Sequence, residues 1–522
     1  MRAVYLNLFF ATTLWGQGGG GVQFRDWTVP AATANPVITC GELRGLTNLE
    51  ISVIAATVIP ASADVPEHCR VRVMVQPTLN IEVNLPAKWN SRLYMFGNGG
   101  WAAFDNAGRV ANRAHGLRAG FVTAATDTGH SAAVEPGASF ALNKQELLDY
   151  GFRSLHVTAE LAKMLARTYY GVGPAKSYYD GCSQGGRQGL TLAQRFPNDF
   201  DGIIAGSPGL YQTGTHLARA YWMQGMNANP FPAAKLGLLA NRVYEQCDAK
   251  DGLKDGLIDD PRRCDFIPAR DLPHCAQGTD QPDCFTVNQI HALERIYGDV
   301  MSHGERFFPG WPVGAEIAGP NGQSGWIGQE INGPNGAGAW TQYGYNFLRF
   351  IVSPKEGTID ADPAKAFSQF DLDKYSTQVE EAHQVIDAND PDLTLFRKHG
   401  GKLLMYFGWA DPQLNPKMGV DYYEKASAAM GDSTTDFFRL FMVPGMFHCG
   451  GGVGTSVFDS ATPLVKWVEA GEAPVRIEAS RVLDGKVVRT RPLCPYPQVA
   501  RYKGSGSIDD SSSFTCVRPD RN

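Results

Sequence analysis

The sequence predicts an α/β protein built on a mostly parallel sheet, and three observations carry that expectation. Strand-like apolar runs alternate with runs of helical period over residues 92–208, an alternation that yields a parallel sheet. A glycine-framed serine, Gly181-Cys182-Ser183-Gln184-Gly185, stands where a β-prone run gives way to an amphipathic one. Two later runs of strand character, 402–408 and 437–443, end in turns that hold Asp411 and His448.

Length and composition set the frame. At 522 residues the chain exceeds one ordinary core, so a main domain with a large insertion is expected. A formal net charge of −6 and the lack of a long Lys/Arg cluster argue against nucleic acid as a partner. An apolar run behind Arg2 reads as a secretory signal, taken as residues 1–19, and no later run is long enough to span a membrane. Ten cysteines fit an exported protein with disulfides. Sequence neighbours pair Cys40 with Cys69, Cys247 with Cys264, Cys275 with Cys284 and Cys494 with Cys516, which leaves Cys182 for Cys449. The absence of an Asn-x-Ser/Thr sequon favours a bacterial periplasm or medium over a glycosylating pathway, so the expected location is secreted or periplasmic.

Taken in order, residues 71–74 and 80–85 alternate apolar and polar side chains and predict an antiparallel hairpin. Residues 92–96 predict a buried strand that runs into Gly97-Asn98-Gly99-Gly100-Trp101. Residues 120–127 form a further strand, 155–170 a helix, and 201–208 a strand ending in a turn. The alternation then stops. Residues 209–398 are rich in Gly, Pro, Asn and aromatics, with scattered helical runs at 233–246 and 287–297, and are expected to fold over the sheet as a lid. The sheet resumes at 402–408 and 437–443, separated by a helix-like run at 420–430 and followed by a helix at 463–470 and a hairpin at 476–490. The expected catalytic domain is therefore 20–208 with 399–522, and the lid 209–398.

The chemistry lies in the turns. A G-x-S-x-G elbow forces its serine into a tight strand-to-helix turn and lifts the hydroxyl off the sheet edge. The N–H of Gln184, at the helix start, is then aimed at an oxygen that becomes negative during attack. The glycine-rich loop at 97–101 is suited to a second such donor, because a bare backbone can approach a reacting carbonyl. Ser183, Asp411 and His448 follow one another in the order of an α/β-hydrolase, each just past a strand. In that reading His448 takes the Ser183 proton and Asp411 orients the imidazole. Asp421 and Asp436 compete for the acid role but fall in or beside helix-like runs. Cys182 precedes the nucleophile and Cys449 follows the base, so a formed triad places their sulfurs close; the alternative is two buried free thiols.

This Cys-Ser, Asp, His-Cys set resembles the tannase and feruloyl esterase family, and the likeness runs from about Cys40 to Cys516. The resemblance implies an α/β-hydrolase with a lid, acting as a secreted serine esterase on small esters of aromatic acids. It implies catalytic Ser183, Asp411 and His448, oxyanion donors at Gln184 and Gly100, and a bridge between Cys182 and Cys449. A second constellation, Asp248, Asp251 and Asp255 spaced by glycines, offers hard oxygen ligands suited to calcium, with an acidic solvated turn as the alternative. Family members carry a calcium loop here, which implies that the carbonyls of Leu253 and Leu257 complete the site and that the ion is structural. No organic cofactor is implied.

Two other readings stand beside the esterase: a non-catalytic α/β-hydrolase-like binding protein and, within the family, a mono(2-hydroxyethyl) terephthalate hydrolase-like enzyme. A phenolic acid ranks ahead of terephthalate as the acyl group. Within the aromatic-rich run of the lid, Trp340, Tyr343 and Arg349 are the expected substrate contacts. The oligomeric state has no signature in the sequence.

Overall fold

The computed structural model describes residues 33–519 apart from 104–106, 231, 317–324, 327–330, 332–337 and 356, so the expected signal lies outside the described residues. Its centre is a nine-stranded sheet. In chain order the strands up to the elbow and just beyond are β1 (Ile51–Ile59), β2 (His68–Val75), β3 (Leu79–Pro86), β4 (Arg92–Phe96), β5 (Val122–Thr126), β6 (Lys176–Cys182) and β7 (Gly202–Gly206). A small hairpin, β8 (Val300–Ser302) and β9 (Glu305–Phe308), belongs to the middle segment, and β10 (Lys402–Gly408) and β11 (Phe438–Val443) complete the large sheet. Spatial order is β1-β2-β3-β5-β4-β6-β7-β10-β11. Pairings among β1, β2, β3 and β5 are antiparallel, and those from β5 through β4, β6, β7 and β10 to β11 are parallel.

The parallel strands are apolar on both faces because both faces are covered. Along β10, Leu403, Met405 and Phe407 enter one core, while Leu404 and Tyr406 enter a second. The first core also takes Leu155, Leu161 and Leu165 of the helix Ser154–Tyr170 and Leu190 and Leu192 of the helix Gln184–Arg195. The second takes Leu464, Val465 and Trp467 of the helix Ala461–Ala470. A period of two in each strand thus feeds two layers of helix, which holds the carboxyl ends of β6, β10 and β11 in one row.

The regular structure of the segment between β7 and β10 is mostly helical, and several of its helices go beyond the two helical runs that the sequence marks. Gln212–Ala228 is a 17-residue helix whose sequence hides it: Gly214, Gly225 and several polar residues interrupt the apolar period. It is nonetheless buried along most of its length, which explains why tertiary packing overrides its composition. The helix Ala339–Phe347 lies against it so closely that a Cβ on Gly344 would meet the Ala220 nitrogen at 3.4 Å. Trp222, Trp311, Trp326 and Trp340 form a fully buried ring cluster between them, with centroid separations of 4.7–5.7 Å.

Candidate active site

Ser183 sits between β6 and the helix Gln184–Arg195 with φ 65° and ψ −123°. A non-glycine residue there is strained, and the surroundings hold it in place. Its N–H donates to the Gly206 carbonyl at 2.9 Å, and its own carbonyl accepts from Arg187 at 3.0 Å. The turn closes because Gly181 has no side chain: a Cβ there would stand 2.5 Å from the Gly185 carbonyl group. Arg187, fully buried, fastens the same turn by donating to Gln184 Oε1 and to the carbonyls of Tyr150, Gly151 and Ile386.

From this turn the hydroxyl meets the base. His448 Nε2 lies 2.8 Å from Ser183 Oγ, and His448 Nδ1 lies 2.8 Å from Asp411 Oδ2. Asp411 is fully buried, and its other oxygen accepts the N–H groups of Gln413 and Leu414 at 2.9 Å each. Both carboxylate oxygens are therefore occupied, which fixes the plane of the group and aims it at the imidazole. The rival Asp421 faces Arg306 at 3.2 Å instead. Cys182 and Cys449 are bonded, with Cα atoms 5.9 Å apart, so the residue before the serine and the residue after the histidine are one covalent unit. The other four bridges join Cys40 to Cys69, Cys247 to Cys264, Cys275 to Cys284 and Cys494 to Cys516.

A pocket opens at Ser183 and His448, and Gly100 and Gln184 both line it. Gly100 has φ +55°, a conformation that glycine adopts without strain, and a Cβ on it would meet the Tyr343 hydroxyl at 2.7 Å. The loop before it is anchored by the Asn98 N–H, which donates to Gln188 Oε1 at 3.0 Å, and by the Asn98 side chain, which donates to the Thr126 carbonyl at 2.9 Å. The oxyanion candidates thus border the same space as the nucleophile.

Of the three chosen substrate contacts, only Tyr343 lines this pocket. Trp340 is fully buried in the indole cluster, and its Nε1 donates to the Pro412 carbonyl at 2.9 Å. Arg349 is exposed and turns to Tyr345, donating to its hydroxyl at 3.2 Å. Both assignments are corrected accordingly: one side chain is core and the other points to the surface. Trp311 behaves like Trp340, donating to the Asp411 carbonyl at 3.1 Å, so two tryptophans of the segment between β7 and β10 hold the turn that bears the acid. Residues the sequence did not single out also form the wall: Gln212, Thr215, His216 and Arg219 from one helix, and Gln413 and Leu414 from the Asp411 turn. Their spacing of i, i+3, i+4 and i+7 was the available signal, a polar stripe on a helix that must be buried.

The acidic loop lies elsewhere in the segment. Asp248 Oδ1 accepts the N–H groups of Asp255 and Gly256, Asp251 Oδ1 accepts that of Leu253, and Asp255 Oδ1 accepts that of Leu257. Asp255 also pairs with Arg491. Asp259, on the same loop, is half-buried; desolvation and next the charges of Asp251 and Asp255 push its carboxyl well above the usual range. Among the described residues no three His, Cys, Asp or Glu side chains converge in a metal-ligating group. The carboxylate oxygens of this loop are hard donors of the kind calcium takes.

Comparison with known proteins follows the same lines. The family model for tannase and feruloyl esterase matches residues 63–517. The mono(2-hydroxyethyl) terephthalate hydrolase of Piscinibacter sakaiensis is 35% identical, over 89% of this chain and 87% of that protein. A probable feruloyl esterase of Arthroderma benhamiae is 32% identical, over 84% of this chain and 82% of its own length. The crystal structure of feruloyl esterase B from Aspergillus oryzae superposes with a TM-score of 0.77 at 26% identity, covering 92% of this chain and 99% of that one.

Proposed function

The chain belongs to the tannase and feruloyl esterase family and is a carboxylic ester hydrolase; from that premise we propose a secreted serine esterase that cleaves small esters of phenolic acids through an acyl-enzyme. The observation that carries the reading is the unbroken chain of 2.8 Å contacts from Asp411 through His448 to Ser183 at the mouth of a pocket.

In this mechanism Ser183 Oγ attacks the ester carbonyl while His448 Nε2 takes its proton. Asp411 keeps Nδ1 protonated and stabilises the imidazolium that forms. The carbonyl oxygen, now negative, is met by the N–H groups of Gln184 and Gly100. His448 returns the proton to the leaving alcohol, and water attacks the acyl-Ser183 ester with His448 again as base. The disulfide between Cys182 and Cys449 limits the separation of nucleophile and base; in the chain-entropy estimate a loop of this length is worth roughly 5–6 kcal/mol as an upper figure.

The segment 209–398 would act as the lid that surrounds the substrate, and 20–208 with 399–522 as the catalytic domain. Asp248, Asp251 and Asp255, with the carbonyls of Leu253 and Leu257, would hold calcium as a structural ion. Five disulfides support export. Rates on methyl gallate, methyl ferulate, a terephthalate half-ester and a long-chain p-nitrophenyl ester test the reading. Phenolic esters are expected to win, and a preference for the long chain would overturn it.

A further inference from the structure

We propose that His216 and Gln212 form a donor and acceptor pair that selects neutral, hydroxyl-bearing aromatic esters over esters whose ring bears a second carboxylate; the inference rests on the esterase reading and deepens it. Both side chains line the pocket at Ser183, one helical turn apart. Each holds one buried polar atom, His216 Nε2 and Gln212 Oε1, without a partner among the described residues. Buried polar groups are normally paired, and unpaired ones in a pocket wall are the groups a ligand satisfies.

The hydrogen bonds around them decide which is donor and which acceptor. Arg219 Nη1 lies 3.2 Å from His216 Nδ1, and a guanidinium only donates. Nδ1 is therefore the acceptor and the ring proton sits on Nε2. Burial, and next the Arg219 charge, hold the imidazole pKa well below its ordinary value, so the ring stays neutral with Nε2–H as a donor. On the other side, Arg187 Nε donates to Gln184 Oε1 at 2.9 Å, which orients the Gln184 amide. Gln212 can face that oxygen only with its NH2 group, which lies 3.4 Å from it and 2.7 Å from the Tyr150 hydroxyl. The Tyr150 proton goes in turn to the Gly100 carbonyl at 3.4 Å. Gln212 Oε1 is left as an acceptor.

A donor beside an acceptor matches a hydroxyl, which both gives and takes a hydrogen bond. A carboxylate only accepts, so it can use the His216 proton but meets the Gln212 lone pairs. Arg219, which could attract a carboxylate, is already engaged with His216 Nδ1, with the Gln413 carbonyl and with the face of Tyr343 at 5.1 Å. The Tyr343 ring is parallel to the imidazole, with centroids 5.9 Å apart, and supplies an apolar wall beside the polar pair.

The test compares kcat/KM for methyl 3,4-dihydroxybenzoate, methyl benzoate and monomethyl terephthalate. Ring hydroxyls do not activate the carbonyl, so a preference for the first ester reports recognition. The wild-type enzyme should favour it over methyl benzoate by about tenfold or more, the scale of one or two neutral hydrogen bonds, and should rank monomethyl terephthalate below it. His216→Phe keeps a ring and removes the donor, and should bring the first ratio to within about threefold of one. His216→Gln, which keeps an N–H, should retain part of it. A wild-type ratio near one, a best rate on monomethyl terephthalate, or an unchanged ratio in folded His216→Phe overturns the inference while leaving the esterase standing. If His216→Phe does not fold, the wild-type ranking and His216→Gln decide. Hydrolysis of none of the three overturns both.

Discussion

The turns at the sheet edge and the helix Gln212–Ala228 face the same pocket but are finished differently. The reacting groups Ser183, Asp411 and His448 are themselves paired: both Asp411 oxygens are occupied, both His448 nitrogens are engaged, and Cys182 is bonded to Cys449. On the helix, His216 Nε2 and Gln212 Oε1 are buried without partners among the described residues. The difference teaches a division of labour. Chemistry requires groups that are fixed before substrate arrives, whereas recognition requires groups whose satisfaction waits for it.

Breaking the fixed side should cost the most. Ser183→Ala removes the nucleophile with little loss of packing, and Asp411→Asn disturbs the tautomer of His448. Each should lower kcat by roughly 10^3-fold or more with the far-UV spectrum unchanged. Activity near the parent level in either would mean that the hydrogen-bonded chain is not the catalytic one.

Removing the covalent tie should cost less. The paired change Cys182→Ala and Cys449→Ala should lower both Tm and kcat, since the two catalytic turns are then held only by packing and hydrogen bonds. Non-reducing peptide mapping of the parent protein should recover one peptide containing both cysteines, and recovery of two free thiols would contradict the bridge.

A milder change sharpens the comparison from the side of the tryptophan cluster. Trp311→Phe deletes the hydrogen bond to the Asp411 carbonyl but keeps most of the ring cluster. It is expected to lower kcat by up to about tenfold, the scale of one neutral hydrogen bond, with KM little altered. The opposite split, KM rising alone, would place Trp311 with the recognition groups.

The smallest effect on rate is expected from the acidic loop. Prolonged chelation, checked by metal analysis, should lower Tm while leaving the initial rate at moderate temperature nearly unchanged, because an ion bound only by the folded state stabilises that state. A melting curve that EDTA and Asp251→Ala both leave unmoved would make the loop a solvated acidic turn.

The two regions were also unequally legible in the sequence. Strands β4 and β10 and the elbow at Ser183 are local signals, set by apolar runs and by glycines that permit one close turn. The wall of the pocket is not local. Trp340 and Arg349 belong to one aromatic run, and only tertiary packing sends the first into the core beneath Pro412 and the second to the surface. Gln212 and His216 went unnoticed because their helix is broken in composition by glycines and polar residues, while its burial comes from neighbours far along the chain. Asp259 is hidden for a similar reason: its nearness to Asp251 and Asp255 follows from how the loop closes and not from the spacing of the carboxylates.

The central claim, that Ser183 is the nucleophile, is tested most directly by trapping the acyl-enzyme. Enzyme mixed with an aromatic p-nitrophenyl ester and quenched within one turnover should gain one acyl group, and peptide mapping should place it on the peptide containing Ser183. The Ser183→Ala protein should gain none. An acyl group on another residue, or single-turnover release of p-nitrophenol by a protein that never gains mass, would contradict the account.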